Sequence, residues 1–186
     1  MKSVDYPAQS DEDLFELVKR HNDKVAFDVL YKRYDRRLFA YCLRAMEDRD
    51  EAKDVYQQAI MNIYAKRDSF KGGSFVAWLM TIVRNQCLMA KRSKKYTRDV
   101  DEMQNVLVAS DSVGATDHGL NEAVHKAVDS LPADFKEVVA MRYFDEFSYE
   151  QIAQTLGISM SLVKVRLYRA KKLLLEALSP YREELL

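Results

Sequence analysis

From Phe27 to Ala45 the apolar residues fall three or four places apart: Phe27, Leu30, Tyr34, Leu38, Tyr41 and Ala45. That spacing lines one side of a 3.6-residue helix. A strand, whose faces repeat every two residues, cannot use it. The charged run Glu47-Asp48-Arg49-Asp50 ends this predicted helix. The same period returns in Ala52, Val55, Ala59, Ile60 and Ile63, and again in Phe75, Leu79, Ile82 and Val83, which predicts a helix from about Phe75 to Arg92. Upstream, Ser10 followed by Asp11-Glu12-Asp13 reads as an N-cap with acids in the first turn, opening a short helix through Leu14, Leu17 and Val18. Lys66 to Ser74, with the pair Gly72-Gly73, reads as a loop. Five Gly and three Pro in the whole chain are too few for the turns of an all-β fold. The first half is predicted to be a helical bundle.

From Ser93 to about Gly119 the period fails, and Ser, Thr, Asp and Gly predominate, as in a linker or a functional segment. It resumes at Leu120, with Val124, Ala127, Val128 and Leu131 on a helix that Pro132 ends. A second helix is predicted from Ala133 to Phe144, with Phe135, Val138 and Val139 inward. Then Ser148-Tyr149-Glu150-Gln151 makes a capping box, followed by Ile152, Ala153, Leu156, Gly157, Ile158, Val163 and Leu167. Those spacings suit a helix-turn-helix: Ala153 is small where the helices cross, Gly157 permits the turn, and the aliphatics fill the angle between them. The fold is therefore expected to be all-α, with two small helical domains joined by a flexible linker.

At 186 residues the chain can hold one medium domain or two small ones, given domains of about 100–150 residues. No apolar run approaches the roughly 18 residues of a spanning helix, and the N-terminus lacks the apolar core of a secretory signal, so no membrane insertion and a cytoplasmic location are expected. Cys42 and Cys87 are far apart, without a C-x-x-C pair, and each reads as a small apolar helix residue. His21, His118 and His125 are scattered, and Gly72-Gly73 lacks the spacing of a phosphate loop. Nothing supplies a nucleophile, a metal site or an acid–base pair; neither an enzyme nor a cofactor is expected.

Net charge is zero, 29 basic residues against 29 acidic, but the charges are segregated. Lys66 to Arg98 holds nine basic residues and the single acid Asp68. Met160 to Lys172 holds Lys164, Arg166, Arg169, Lys171 and Lys172 with no acid. Between them, Asp99, Asp101, Glu102, Asp111 and Asp117 stand without a base. Two basic stripes flanking an acidic connector are the footprint of polyanion binding.

Three stretches resemble the RNA polymerase sigma factors of the extracytoplasmic-function (ECF) group, in the family's order. Residues 51–64, Glu51-Ala52-Lys53-Asp54-Val55-Tyr56-Gln57-Gln58 onward, are similar to the core-binding helix, although Lys53 and Gln58 replace usual acids and Ile60 a usual Phe. Phe70 to Asn85, with Gly72, Phe75, Trp78, Leu79, Ile82 and Arg84 at matching places, resembles the part that handles the −10 promoter element. Leu131-Pro132 through Lys172 resembles the domain that reads the −35 element, with Ser161-Leu162 where Gly-Thr is common.

The resemblance implies an alternative sigma factor with three parts: residues 1–95 for polymerase binding and the −10 element, an acidic linker over 96–119, and a helix-turn-helix over 120–186. Its implied partners are core polymerase (clamp and flap), promoter DNA and an anti-sigma protein. Asp54, Gln57, Gln58 and Asn62 would meet polymerase. Phe70, Trp78, Arg84, Asn85, Lys91 and Arg92 would hold the single strand, with Asn85 at an extruded base and Trp78 either core or facing DNA. Val163 and Leu167 should point inward, leaving Met160, Ser161, Lys164, Val165 and Tyr168 toward the groove, with Arg169 and Lys172 near phosphates. Tyr168 could instead pack on Leu131. The linker acids read as a mimic of RNA charge or as a solvated tether. A different class of function, a stand-alone helix-turn-helix regulator with a sensing or dimerising bundle, leaves the Lys66 to Arg98 basic stretch unused.

Overall fold

The structure, a computed structural model, describes residues 5–46, 48–101 and 120–181. All its regular elements among these are helical, and the chain divides into two compact units, residues 1–105 and 106–186.

In the first unit the caps decide where helices begin. Ser10 Oγ accepts the Asp13 N–H (3.1 Å) to open α1, Asp11–His21, whose last turn is basic. Asn22 closes α1 in the left-handed conformation (φ 52°), and Asp23 at once caps α2, Lys24–Ala45, accepting the Val25 and Ala26 N–H groups at 2.9 and 3.1 Å. Within the charged run after α2, Asp48 caps α3, Arg49–Ala65, through the Glu51 N–H (2.8 Å). Capping side chains of this kind contribute about 1 kcal/mol each. A short 3₁₀ turn, Arg67–Ser69, leads through Gly72 and Gly73, both at positive φ, into α4, Phe75–Asp101.

The apolar stripes meet as their spacing requires. Leu14, Phe15 and Val18 of α1, Ala26, Leu30 and Leu38 of α2, Ala52, Ala59 and Ile63 of α3, and Phe75, Leu79 and Val83 of α4 are all buried. Around Phe15 the rings of Phe75, Trp78 and Phe70 gather at centroid distances of 4.7, 5.0 and 5.6 Å. Edge-to-face and tilted ring pairs add about 0.5–1.5 kcal/mol beyond their buried area. The Phe75 N–H, which no turn of its own helix can satisfy, donates to Glu12 Oε1 of α1 (3.2 Å), and Lys19 Nζ donates to the Phe70 carbonyl (3.1 Å).

Helix α4 outlasts its apolar stripe. Expected to end near Arg92, it runs on to Asp101, so the first residues of the expected linker are helical. An apolar period records burial rather than helicity. The stretch from Ser93 to Asp101 has neither Gly nor Pro and is rich in Lys and Arg, which are good helix formers. Residues 102–119 lie outside the described residues, and with them Glu102, Asp111 and Asp117; the side chains of Asp99 and Asp101 lie outside them as well.

The second unit holds α5, Leu120–Asp129, α6, Ala133–Val139, α7, Tyr149–Leu156, and α8, Met160–Ala177. The helix expected over Ala133 to Phe144 changes character midway, since Ala140–Phe144 forms a π turn. There the Asp145 N–H reaches back five residues to the Ala140 carbonyl (3.1 Å). The wider turn keeps Met141 buried beside Val138 and Val139 while Tyr143 and Phe144 stay in solvent. Phe147, Ile152, Val163, Leu167 and Ala170 complete the core.

Candidate nucleic-acid interface

The α7–turn–α8 unit is fixed at three points. At its start the capping box is complete: Ser148 Oγ accepts the Gln151 N–H (3.2 Å), and the Gln151 side chain accepts the Ser148 N–H (2.9 Å). At its corner Gly157 takes φ 66°, ψ 33°, and the Ile158 N–H closes on the Ala153 carbonyl (3.1 Å). At the second helix Ser159 Oγ accepts the Leu162 N–H (3.2 Å). A Cβ on Gly157 would meet nothing within 4 Å, so only backbone strain opposes a side chain there. Gly157→Ala should therefore cost about 1–2 kcal/mol, the penalty of a left-handed L-residue. The expected reading is a lower urea midpoint for the second unit with an unchanged slope; an unchanged midpoint would mean the turn relaxes.

On α8 the two expected faces separate. Val163, Leu167 and Ala170 are buried, whereas Met160, Ser161, Lys164, Val165, Tyr168, Arg169 and Lys172 are all exposed. Tyr168, which could have packed on Leu131, is 73% exposed, while Leu131 is buried. Arg166 leaves the basic stripe: its guanidinium pairs with Asp134 of α6. Lys164, Arg169, Lys171 and Lys172 remain as exposed cations. Glu150, at the start of α7, has its carboxyl held below the usual range by its own backbone N–H, by Ser148 and by the positive charge of Lys164.

In the first unit the expected single-strand residues divide. Asn85, Lys91 and Arg92 are exposed and Arg84 is half-buried, on the helix whose other side holds Leu79, Ile82 and Val83. Trp78 is half-buried: its ring joins the Phe15 cluster while its Nε1 donates to Ser69 Oγ (3.3 Å) at the loop's surface. The ring thus belongs to the core while the indole N–H lies at its edge. Phe70, expected beside the single strand, lies inside the bundle. It is 2% exposed, packed between Phe15, Phe75 and Trp78, because a large ring directly after the Arg67–Ser69 turn completes the core sooner than it faces water.

On α3, Asp54, Gln57 and Gln58 are exposed, and Met61 beside them is 58% exposed. Asn62 is half-buried, and its amide turns to α4 and donates to Gln86 Oε1 (3.0 Å). Periodicity alone could not have found Gln86, because the pair lies 24 residues apart in the chain. Met61 was legible, as a large apolar residue placed on a polar helix face, where an adaptable thioether suits a protein partner. Among the described residues there is no group of three or more His, Cys, Asp or Glu that could hold a metal ion, and no helix is long and apolar enough to cross a membrane.

Known proteins match both units. The family described as Sigma-70 region 2 matches residues 30–97, and that described as Sigma-70, region 4 matches residues 121–174. The chain is 30% identical to the RNA polymerase sigma-H factor of Pseudomonas aeruginosa, over 95% of this chain and 97% of that protein. It is also 30% identical to the ECF RNA polymerase sigma-E factor of Escherichia coli, over 88% of this chain and 91% of that one. Among solved structures, the sigma factor RpoE in complex with the anti-sigma factor NepR from Bartonella quintana shares 29% identity at a TM-score of 0.65, covering 82% of this chain and 96% of that one.

Proposed function

The chain belongs to the ECF group of the sigma-70 family, and on that premise we propose how its residues share the work of initiation. It is an alternative RNA polymerase sigma factor, which binds core polymerase and directs promoter recognition and transcription initiation. A stand-alone regulator with a sensing bundle is not favoured by that membership. In our reading it works in the cytoplasm as an initiation factor without a reaction of its own. Residues 1–95 meet polymerase and the −10 element, 96–119 connect, and 120–186 read the −35 element. An anti-sigma protein is its third partner, as in the RpoE–NepR complex.

One observation carries the assignment of α8. All seven residues assigned to the −35 element are exposed on a helix whose other side is buried, and the face bears Lys164, Arg169 and Lys172. A helix so presented suits the major groove, with Lys164 toward guanine edges and Arg169 and Lys172 toward phosphates. On α4, Asn85 offers one amide donor–acceptor pair to an unstacked base, and Lys91 and Arg92 supply cations for its strand. Trp78, held at the mouth of the aromatic cluster, and Arg84 border that surface. Phe70 contributes from beneath, by fixing the loop rather than by stacking on a base. Co-purification with core polymerase, followed by run-off transcription from a cognate promoter, tests the whole reading; failure to bind core would overturn it.

Asp54, Gln57 and Gln58 form the polar face through which α3 docks on the polymerase clamp, with Asn62 acting through Gln86. Asp54 is exposed, so Asp54→Arg leaves the core intact while setting a like charge against a basic partner. Such juxtapositions cost several kcal/mol. Core affinity should fall about 30-fold or more in a pull-down titration, with an unchanged circular dichroism spectrum. Unchanged affinity would remove α3 from the interface.

A further inference from the structure

We infer that Cys42 and Cys87 form a redox-modification site, a thiol pair built across α2 and α4 that a hydroperoxide converts into an intramolecular disulfide. The two residues are 45 apart in the chain, yet their sulfurs lie 3.9 Å apart, in hydrogen-bond contact, and neither is in a disulfide. Both are buried, Cys42 at 0% and Cys87 at 3% exposure. A disulfide needs about 2.05 Å, so the sulfurs must close by roughly 2 Å. Rotation about the Cα–Cβ bonds supplies part of that. Cys42 also lies three residues from the end of α2 at Ala45, where the last turn can adjust.

Burial decides which oxidation product forms. An isolated buried thiol is inert, and an exposed one is capped by whatever thiol or disulfide reaches it first. Here a bulky disulfide such as oxidised glutathione has no room, whereas a hydroperoxide is little larger than water and enters by local opening. Once one sulfur is oxidised, the other is already beside it. Cys87 is the better first nucleophile, because its contact with Cys42 and the positive charge of Lys91 hold its thiol below the usual range. The same contact, with burial, pushes Cys42 up.

In the first step the Cys87 thiolate attacks one peroxide oxygen; the S–O bond forms, the O–O bond breaks, and the departing hydroxide takes up a proton as water. In the second, the Cys42 sulfur attacks the Cys87 sulfenic acid; the S–S bond forms, the S–O bond breaks, and the leaving hydroxyl departs as water with the Cys42 proton. Two thiols are oxidised and one hydrogen peroxide is reduced to two waters. The product ties α2 to α4 around α3, on the helix that bears Asn85, and a thiol reductant reverses it.

The test is exposure of the reduced, folded full chain to hydrogen peroxide. The expected product is monomeric, lighter by two hydrogens, and refractory to iodoacetamide after denaturation until reduced. Its peptide map joins Cys42 to Cys87. Closing a loop of this length should also raise the melting temperature by roughly 15–20 °C, reversibly with dithiothreitol and not in Cys42→Ala or Cys87→Ala. Two thiols still alkylatable after exposure would overturn the inference. So would a map showing only intermolecular links, or sulfinic acid at either position.

Discussion

On a duplex promoter Asn85→Ala should form closed complex almost as well as the wild type and accumulate far less open complex. Asn85 is exposed on α4, and the residues that anchor that helix, Phe75, Leu79 and Val83, lie on its other side. Removing the amide therefore leaves the core as it is. Ala is also a better helix former than Asn by a few tenths of a kcal/mol, so folding stability should hold or rise slightly. In our reading, what disappears is one donor and one acceptor offered to an unstacked base. A bidentate amide contact to a base edge contributes about 1–3 kcal/mol, hence a roughly 5- to 150-fold loss of open complex. Permanganate reactivity of unpaired thymines measures this directly. On a template carrying a pre-melted bubble, unpairing no longer has to be driven by the protein, and the deficit should narrow. Equal deficits on both templates would assign Asn85 to docking instead.

How far such roles can be read in advance depends on the range of the interactions that set them. Caps act within three or four residues, so Ser10, Ser148 with Gln151, and the turn at Gly157 are legible in the chain, and the structure has each in its expected geometry. The inward side of α8 is legible for the same reason, since Val163 and Leu167 differ by one helical repeat. The end of α4 at Asp101 is not, because helix propensity without burial leaves no apolar period. Nor is the π turn at Ala140–Phe144, which arises from packing Met141 inward after Val138 and Val139.

Contacts between distant segments are the least legible. The removal of Arg166 from the basic stripe depends on Asp134, 32 residues away. The turning of Asn62 to Gln86 and the facing of Cys42 by Cys87 likewise join separate helices. Phe70 shows a subtler limit. A family pattern marks the position but does not say whether the ring acts by touching a base or by holding the loop that does. Its burial with Phe15, Phe75 and Trp78 supports the second role.

Helix α8 offers the sharpest separation of roles, because it sets two lysines on one face against each other. Lys164 sits one turn into the helix, beside Val163 at the centre of the packing; Lys172 follows two turns later, and both are exposed. In our reading Lys164 meets base edges and Lys172 a phosphate near the helix's exit from the groove. Loss of a base contact costs about 1–3 kcal/mol and relaxes discrimination at that position. Loss of a phosphate contact weakens all sequences alike and lowers the slope of log affinity against log salt by about 0.9. Lys164→Ala should therefore cut the ratio of cognate to mutated −35 affinity by roughly 5- to 150-fold. Lys172→Ala should lower both affinities together and leave the ratio unchanged. Residues 120–186, checked for helical content, can be titrated with both duplexes over a salt series. In the same reading Lys164 meets a base edge rather than a phosphate, so its loss removes no phosphate contact. The salt slope of Lys164→Ala should accordingly change less than that of Lys172→Ala. An intact ratio in Lys164→Ala would mean that α8 enters the groove in a different register, with Ser161, Val165 and Tyr168 as the bases' nearest neighbours.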